Sequence, residues 1–134
     1  MKLNIVCIPG DGIGPEIVTQ AKKVLDKVAK AYGHEIQYQD ILMGGASIDV
    51  HGVPLTEEAI ATAKAADAVL MGSIGGDTTT SPWYKLPPEK RPEAGLLGLR
   101  KADDYRHEDG DNDNYQKYKL WNFICLSFHF FNLL

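Results

Sequence analysis

Four residues late in the chain have types and spacing that could do chemistry together. Glu93, Leu96, Leu97 and Arg100 stand at i, i+3, i+4 and i+7, so a helix places all four on one face. An arginine there could clamp a carboxylate through two parallel hydrogen bonds, while the paired leucines hold an aliphatic branch. The plainer account is an amphipathic helix that packs its leucines and leaves its charges in solvent, and spacing alone favours it. A second candidate is Gly10-Asp11-Gly12-Ile13-Gly14-Pro15-Glu16. It resembles a dinucleotide fingerprint, with Asp40 as the ribose acid, but Pro15 stands where the third glycine of G-x-G-x-x-G is required. The classical Rossmann reading fails there, leaving a tight strand-to-helix turn or a ligand loop of another kind. A third pattern, Asp109-x-Asp111-x-Asp113, echoes a calcium loop. Its sixth position is Asn114 rather than Gly and its twelfth is Leu120 rather than Glu, so a solvated acidic run is the better account.

The elements that must carry these groups alternate regularly. Leu3 to Ile8 is a short apolar run closed by Pro9-Gly10, which predicts a buried strand. Pro15 suits the start of a helix. Ile17, Val18, Ala21, Val24, Leu25, Val28 and Tyr32 predict one buried stripe along it, and Gly33 a stop. Ile36 to Leu42 reads as a second strand. Gly44-Gly45 reads as a turn, and the loop Gly52–Pro54 leads to a helix after Thr56, with Glu57 and Glu58 in its first turn. Asp67 to Met71 is a third buried strand ending at Gly72. The stretch from Gly72 to Pro92 holds too many Gly and Pro for a long element, and a loop of that length is usually functional. Pro92 to Ala102 reads as a helix, weakened by Gly95 and Gly98. This order predicts an α/β fold with a largely parallel sheet and flanking helices.

Composition bounds the rest. The chain has 134 residues, 44% hydrophobic and 24% charged, a balance typical of a soluble globular domain. Its net charge is −4, concentrated in residues 102–114, and no Lys/Arg stripe points to nucleic acid. Cys7 and Cys125 make no disulfide framework, which favours a reducing compartment, the cytoplasm. The N-terminus does not read as a signal peptide. The apolar run Leu120–Leu134 is shorter than a membrane span, is interrupted by Asn122, His129 and Asn132, and has no Lys or Arg, so neither a span nor a membrane-surface helix is expected. Composition changes abruptly near residue 102. Eight of the twelve aromatic residues lie beyond it. Residues 1–102 therefore read as one domain portion, and 103–134 as an acidic, then aromatic tail, non-native or disordered: either a flexible acidic linker with an apolar end or, the favoured reading, the result of a frame or gene-model error.

As a complete heptapeptide, GDGIGPE resembles the opening of the β-decarboxylating dehydrogenases, the isocitrate/isopropylmalate dehydrogenase family. The stretch GSIGGDTTTSPWYKLPPEKRPEAGLLGLRK is similar to the cofactor and substrate loop of its 3-isopropylmalate branch, followed by the substrate helix. The resemblance implies a partial family fold distinct from a classical Rossmann domain. It implies that Ile13, Gly75, Gly76 and Glu93 bind NAD, with Glu93 at the nicotinamide beside the substrate. Leu96 and Leu97 would meet the isopropyl group, favouring isopropylmalate over isocitrate or tartrate, and Arg100 would bind a malate carboxylate. The activity implied is oxidation by NAD and decarboxylation to 4-methyl-2-oxopentanoate for leucine synthesis, with Mg²⁺ or Mn²⁺, in a homodimer. The match stops near Ala102. The family's second substrate arginine would fall at Gly110, and its third arginine, catalytic Tyr and Lys, metal-holding aspartates and adenosine loop have no counterpart, so the chain alone is expected to be inactive. A non-catalytic α/β module with a partner-binding aromatic tail is the alternative of another class.

Overall fold

In the computed structural model, residues 1–104 and 123–125 are described. Three long parallel strands form the centre of a sheet: β1 (Lys2–Gly10), β2 (Glu35–Asp40) and β3 (Ala68–Ser73). A short fourth strand, β4 (Phe123–Cys125), adds parallel to β3, giving the order β2-β1-β3-β4. β4 lies beyond residue 102 and pairs with β3 through Val69↔Phe123, Leu70↔Ile124 and Met71↔Cys125.

Alternation along the strands splits the core in two, as a parallel sheet covered on both faces requires. Ile5, Cys7 and Leu70 point to one face, where they meet Val18, Ala21 and Leu25 of α1 (Gly14–Tyr32). Val6, Ile8, Val69 and Met71 point to the other, where they meet Met43, Ala63 of α3 (Glu57–Ala65) and Leu99 of α4 (Pro92–Asp104). The first strand is longer at both ends than its apolar run. The second ends at Asp40, the last residue in register with β1 (Cys7↔Asp40), and the Ile41 amide still donates to the Cys7 carbonyl at 2.9 Å.

Helix α1 stops at Gly33, whose φ of 70° is left-handed. Its predicted single stripe divides. Val18, Ala21, Leu25 and Ala29 turn inward, whereas Val24, Val28 and Tyr32 are exposed, Val24 by 62%. A sheet presents a narrow floor to one helix, and a stripe seven residues strong is wider than that floor.

Gly44-Gly45 is not a simple turn. Gly45 begins a short helix, α2 (Gly45–His51), which ends at Gly52. Thr56 caps α3 as expected, its hydroxyl accepting from the Ala59 amide at 3.1 Å. The long loop after β3 contains two 3₁₀ turns, Pro82–Lys85 and Pro88–Lys90. Among the described residues no helix is long and apolar enough to cross a membrane.

Candidate functional site

From β1 the chain steps through α1 to β2 on one side, then returns through α2 and α3 to β3 on the other side of β1. The direction of strand addition thus reverses between β1 and β3. In open α/β sheets, ligands bind at such a switch point, in the crevice beyond the strand carboxyl ends. The two segments singled out in sequence, Gly10–Glu16 and the loop from Ile74 onward, leave β1 and β3 at this end.

Close backbone contact holds the two segments together. The Asp11 amide donates to the Ser73 carbonyl at 2.7 Å, and the Ser73 hydroxyl donates to the Asp11 carbonyl at 2.7 Å. Gly10 has a φ of +76°, and a Cβ there would lie 2.0 Å from the Ser73 carbonyl oxygen. No side chain fits that turn.

The Asp11 side chain, only 4% exposed, is the organising group of the crevice. Its Oδ1 accepts from the Ala46 amide at 2.8 Å. Its Oδ2 accepts from the amides of Gly45 at 2.9 Å and Gly75 at 2.8 Å. Two of these donors open α2, so the carboxylate serves that helix as a remote N-terminal cap. Three hydrogen bonds compensate its burial.

Gly75 passes directly over Glu93. Its φ is +97°, and a Cβ would lie 2.8 Å from Glu93 Oε1 and 2.9 Å from the Tyr84 hydroxyl oxygen. Tyr84 donates a short hydrogen bond to Glu93 Oε1 and accepts one from the Gly76 amide at 3.4 Å. The acceptor carboxylate, then burial, raises the Tyr84 phenol above its ordinary range. Arg91 lies over the Tyr84 ring at 5.9 Å, and its Nε donates to the Leu86 carbonyl at 3.0 Å. Next to it, Trp83 rests on Gly45 and donates from Nε1 to Asp49 at 2.9 Å. The loop is therefore pinned to α2 on one side and α4 on the other.

The structure thus brings Gly75, Gly76 and Glu93 together. Ile13, 61% exposed, stands at the start of α1 two residues from Asp11. On α4 the predicted face splits. Pro92, Gly95 and Leu99 are buried, and Leu96 packs partly against the core. Glu93, Leu97 and Arg100 remain exposed, Leu97 by 64%. Asp40, considered as a ribose acid, is instead paired with Lys22 at 2.7 Å. Asp11, Trp83, Tyr84 and Asp49 were not singled out as individual residues. Their partners lie up to 64 residues away in the chain, and only a Tyr nine residues before a Glu offered any local signal. A groove lined by Asn4, Val6, Gln39 and Thr62 lies between α3 and the β2 side of the sheet and contains none of these residues.

Fold and crevice place the chain among the α/β proteins that take small molecules at the ends of parallel strands. Comparison narrows that class. The model of the family described as isocitrate/isopropylmalate dehydrogenase matches residues 4–106, and the chain belongs to this family. It is 52% identical over 102 residues to the 3-isopropylmalate dehydrogenase of Nitratidesulfovibrio vulgaris, covering 76% of this chain and 28% of that protein. It is 50% identical over 126 residues to that of Aquifex aeolicus, covering 94% of this chain and 32% of that one. The latter alignment therefore runs past residue 102, into the segment that composition set apart. The crystal structure of a β-decarboxylating dehydrogenase from Thermococcus kodakarensis superposes with a TM-score of 0.56 at 31% identity, over 75% of this chain and 26% of that one. The chain spans less than a third of the length of each of these relatives.

Proposed function

We propose that this chain forms one wall of the site of an NAD-dependent 3-isopropylmalate dehydrogenase. The observation that supports it best is the meeting of Gly75, Gly76 and Glu93 at the switch point, with Leu97 and Arg100 exposed further along the same helix. The crevice suits a nicotinamide cofactor. Its lip offers an apolar surface at Ile13, close-approach backbone at Gly75 and Gly76, and a carboxylate at Glu93, which together match a flat ring carrying polar hydrogens. Bound there, NAD supplies a hydride acceptor.

The side chains define what the substrate must be. Arg100, exposed on the same helix, is suited to pair with a substrate carboxylate. Leu97 exposes an apolar surface one turn before it, which fits a branched alkyl group and offers nothing to a further carboxylate. Glu93 accepts a hydrogen bond from a ligand N–H or O–H. Among the described residues, no three His, Cys, Asp or Glu side chains come together to hold a metal ion.

The test is a titration of the purified 134-residue chain, followed by amide NMR, with 3-isopropylmalate, isocitrate and tartrate, each with and without NAD⁺, beside an absorbance assay of NADH formation with NAD⁺ and Mg²⁺. Shifts confined to Ile13, Gly75, Gly76, Glu93, Leu96, Leu97 and Arg100, strongest with 3-isopropylmalate, are expected, without metal-dependent NADH production. Preference for isocitrate or tartrate would overturn the substrate assignment. Turnover by the isolated chain would overturn the view that it supplies only one wall.

A further inference from the structure

We propose that Tyr84 is a positioning residue for Glu93, holding one carboxylate oxygen so that the other is presented to the ligand. The inference rests on the reading of Glu93 as a cofactor contact. Its basis is geometric. Oε1 of Glu93 receives the Tyr84 hydroxyl, and among the described residues no hydrogen bond or ion pair reaches Oε2. The same hydroxyl accepts the Gly76 amide, so its donor and acceptor directions are both committed and its proton points to Glu93.

Tyr84 is itself immobilised. Arg91 covers its ring, and the turn that carries it is capped by Ser81, whose hydroxyl accepts from the Trp83 amide at 3.4 Å. Trp83, the adjacent residue, is tied to Asp49. Gly75 closes the third side, with no room for a Cβ between the phenol and the carboxylate. An exposed glutamate on a helix otherwise samples several rotamers, and fixing one before ligand arrives removes an ordering cost from binding.

The experiment measures NADH affinity by fluorescence for the full chain and for Y84F, E93Q and the double variant. Y84F keeps the ring that Arg91 covers. It should weaken NADH binding on the order of tenfold, the equivalent of the rotamer freedom that one Glu side chain regains. The double variant should bind no more weakly than E93Q alone, since Tyr84 acts only through Glu93. Tyrosinate absorbance checks the contact itself: E93Q removes the anionic acceptor and should lower the pH at which Tyr84 ionises. That measurement tests the Tyr84–Glu93 contact even where Y84F folds poorly. Unchanged affinity in Y84F, additive losses in the double variant, or an unmoved Tyr84 titration would each overturn the inference alone. Absence of NADH binding by the unaltered chain would instead overturn the cofactor reading, and this inference with it.

Discussion

The Asp11 carboxylate accepts the Gly75 amide at 2.8 Å across 64 residues of sequence. The contact joins the turn after β1 to the loop after β3. Through Gly45 and Ala46 the same group also holds the start of α2. One buried carboxylate therefore sets the relative positions of three segments that border the crevice.

Replacing it should be costly. Asp11→Ala leaves three backbone donors without partners, at about 1–3 kcal/mol for each buried group, so a loss of at least about 2 kcal/mol is expected in urea unfolding. Asp11→Asn retains an acceptor oxygen but turns an NH₂ toward an amide, and should fall between. Hydrogen exchange at Gly75 should accelerate in both. Native-like protection of Gly75 in Asp11→Ala would show that the loop is held by other contacts.

The two glycines of α4 should respond in opposite directions. At Gly98 a Cβ would make only an ordinary 3.7 Å contact with Leu55, so Gly98→Ala should stabilise the helix by up to about 1 kcal/mol. At Gly95 it would lie 2.7 Å from the Pro54 carbonyl oxygen and 3.0 Å from Met43. Backbone cannot yield there cheaply, and Gly95→Ala should destabilise by about 1–3 kcal/mol. Paired urea midpoints test the sign, and equal effects would contradict this packing of α4.

Stability should fall as pH rises above about 9. Burial raises the Cys7 thiol above its ordinary 9.0. Burial and then the hydrogen bond to Asp26, 2.9 Å long, raise the Tyr38 phenol above its ordinary 10.0. For Lys22 burial, the largest single effect, acts in the opposite sense, but the hydrogen bond to Asp40 together with the charges of Cys7 and Asp40 outweighs it and raises the ammonium above its ordinary 10.5. All three groups hold protons more tightly folded than unfolded. Their contribution is therefore complete below the unfolded values and is lost as pH climbs through the folded ones. Unfolding midpoints measured between pH 8 and 11 should decline, and Tyr38→Phe should decline less steeply above pH 10. A flat profile would contradict the sign.

Much of the architecture was legible because it is written locally. The apolar run before Pro9-Gly10, the Thr56 cap and the Gly33 stop each act within a few residues, through strand alternation, helix capping and left-handed backbone. Where local signals competed, the outcome was different. Val24, Val28 and Tyr32 carry the same apolar spacing as Val18, Ala21 and Leu25 yet face solvent, since only the sheet decides which side of a broad stripe is covered. Gly44-Gly45 looked like a breaker. Asp11, far away in sequence, supplies the capping charge that lets a helix begin there.

The candidate site divides along the same line. Residue spacing alone determined that Glu93, Leu97 and Arg100 share a side of a helix, because 3.6 residues per turn leaves no alternative once the helix forms. It equally determined that a tight turn follows the first strand. Tertiary structure decided that Leu96 leans into the core while Leu97 stays exposed, and that Gly75 lies against Glu93. It also decided that Tyr84 and Asp11 hold the crevice in shape. Those facts depend on hydrogen bonds and close contacts between segments that meet only when β3 docks beside β1, and no pattern along the chain records such a meeting.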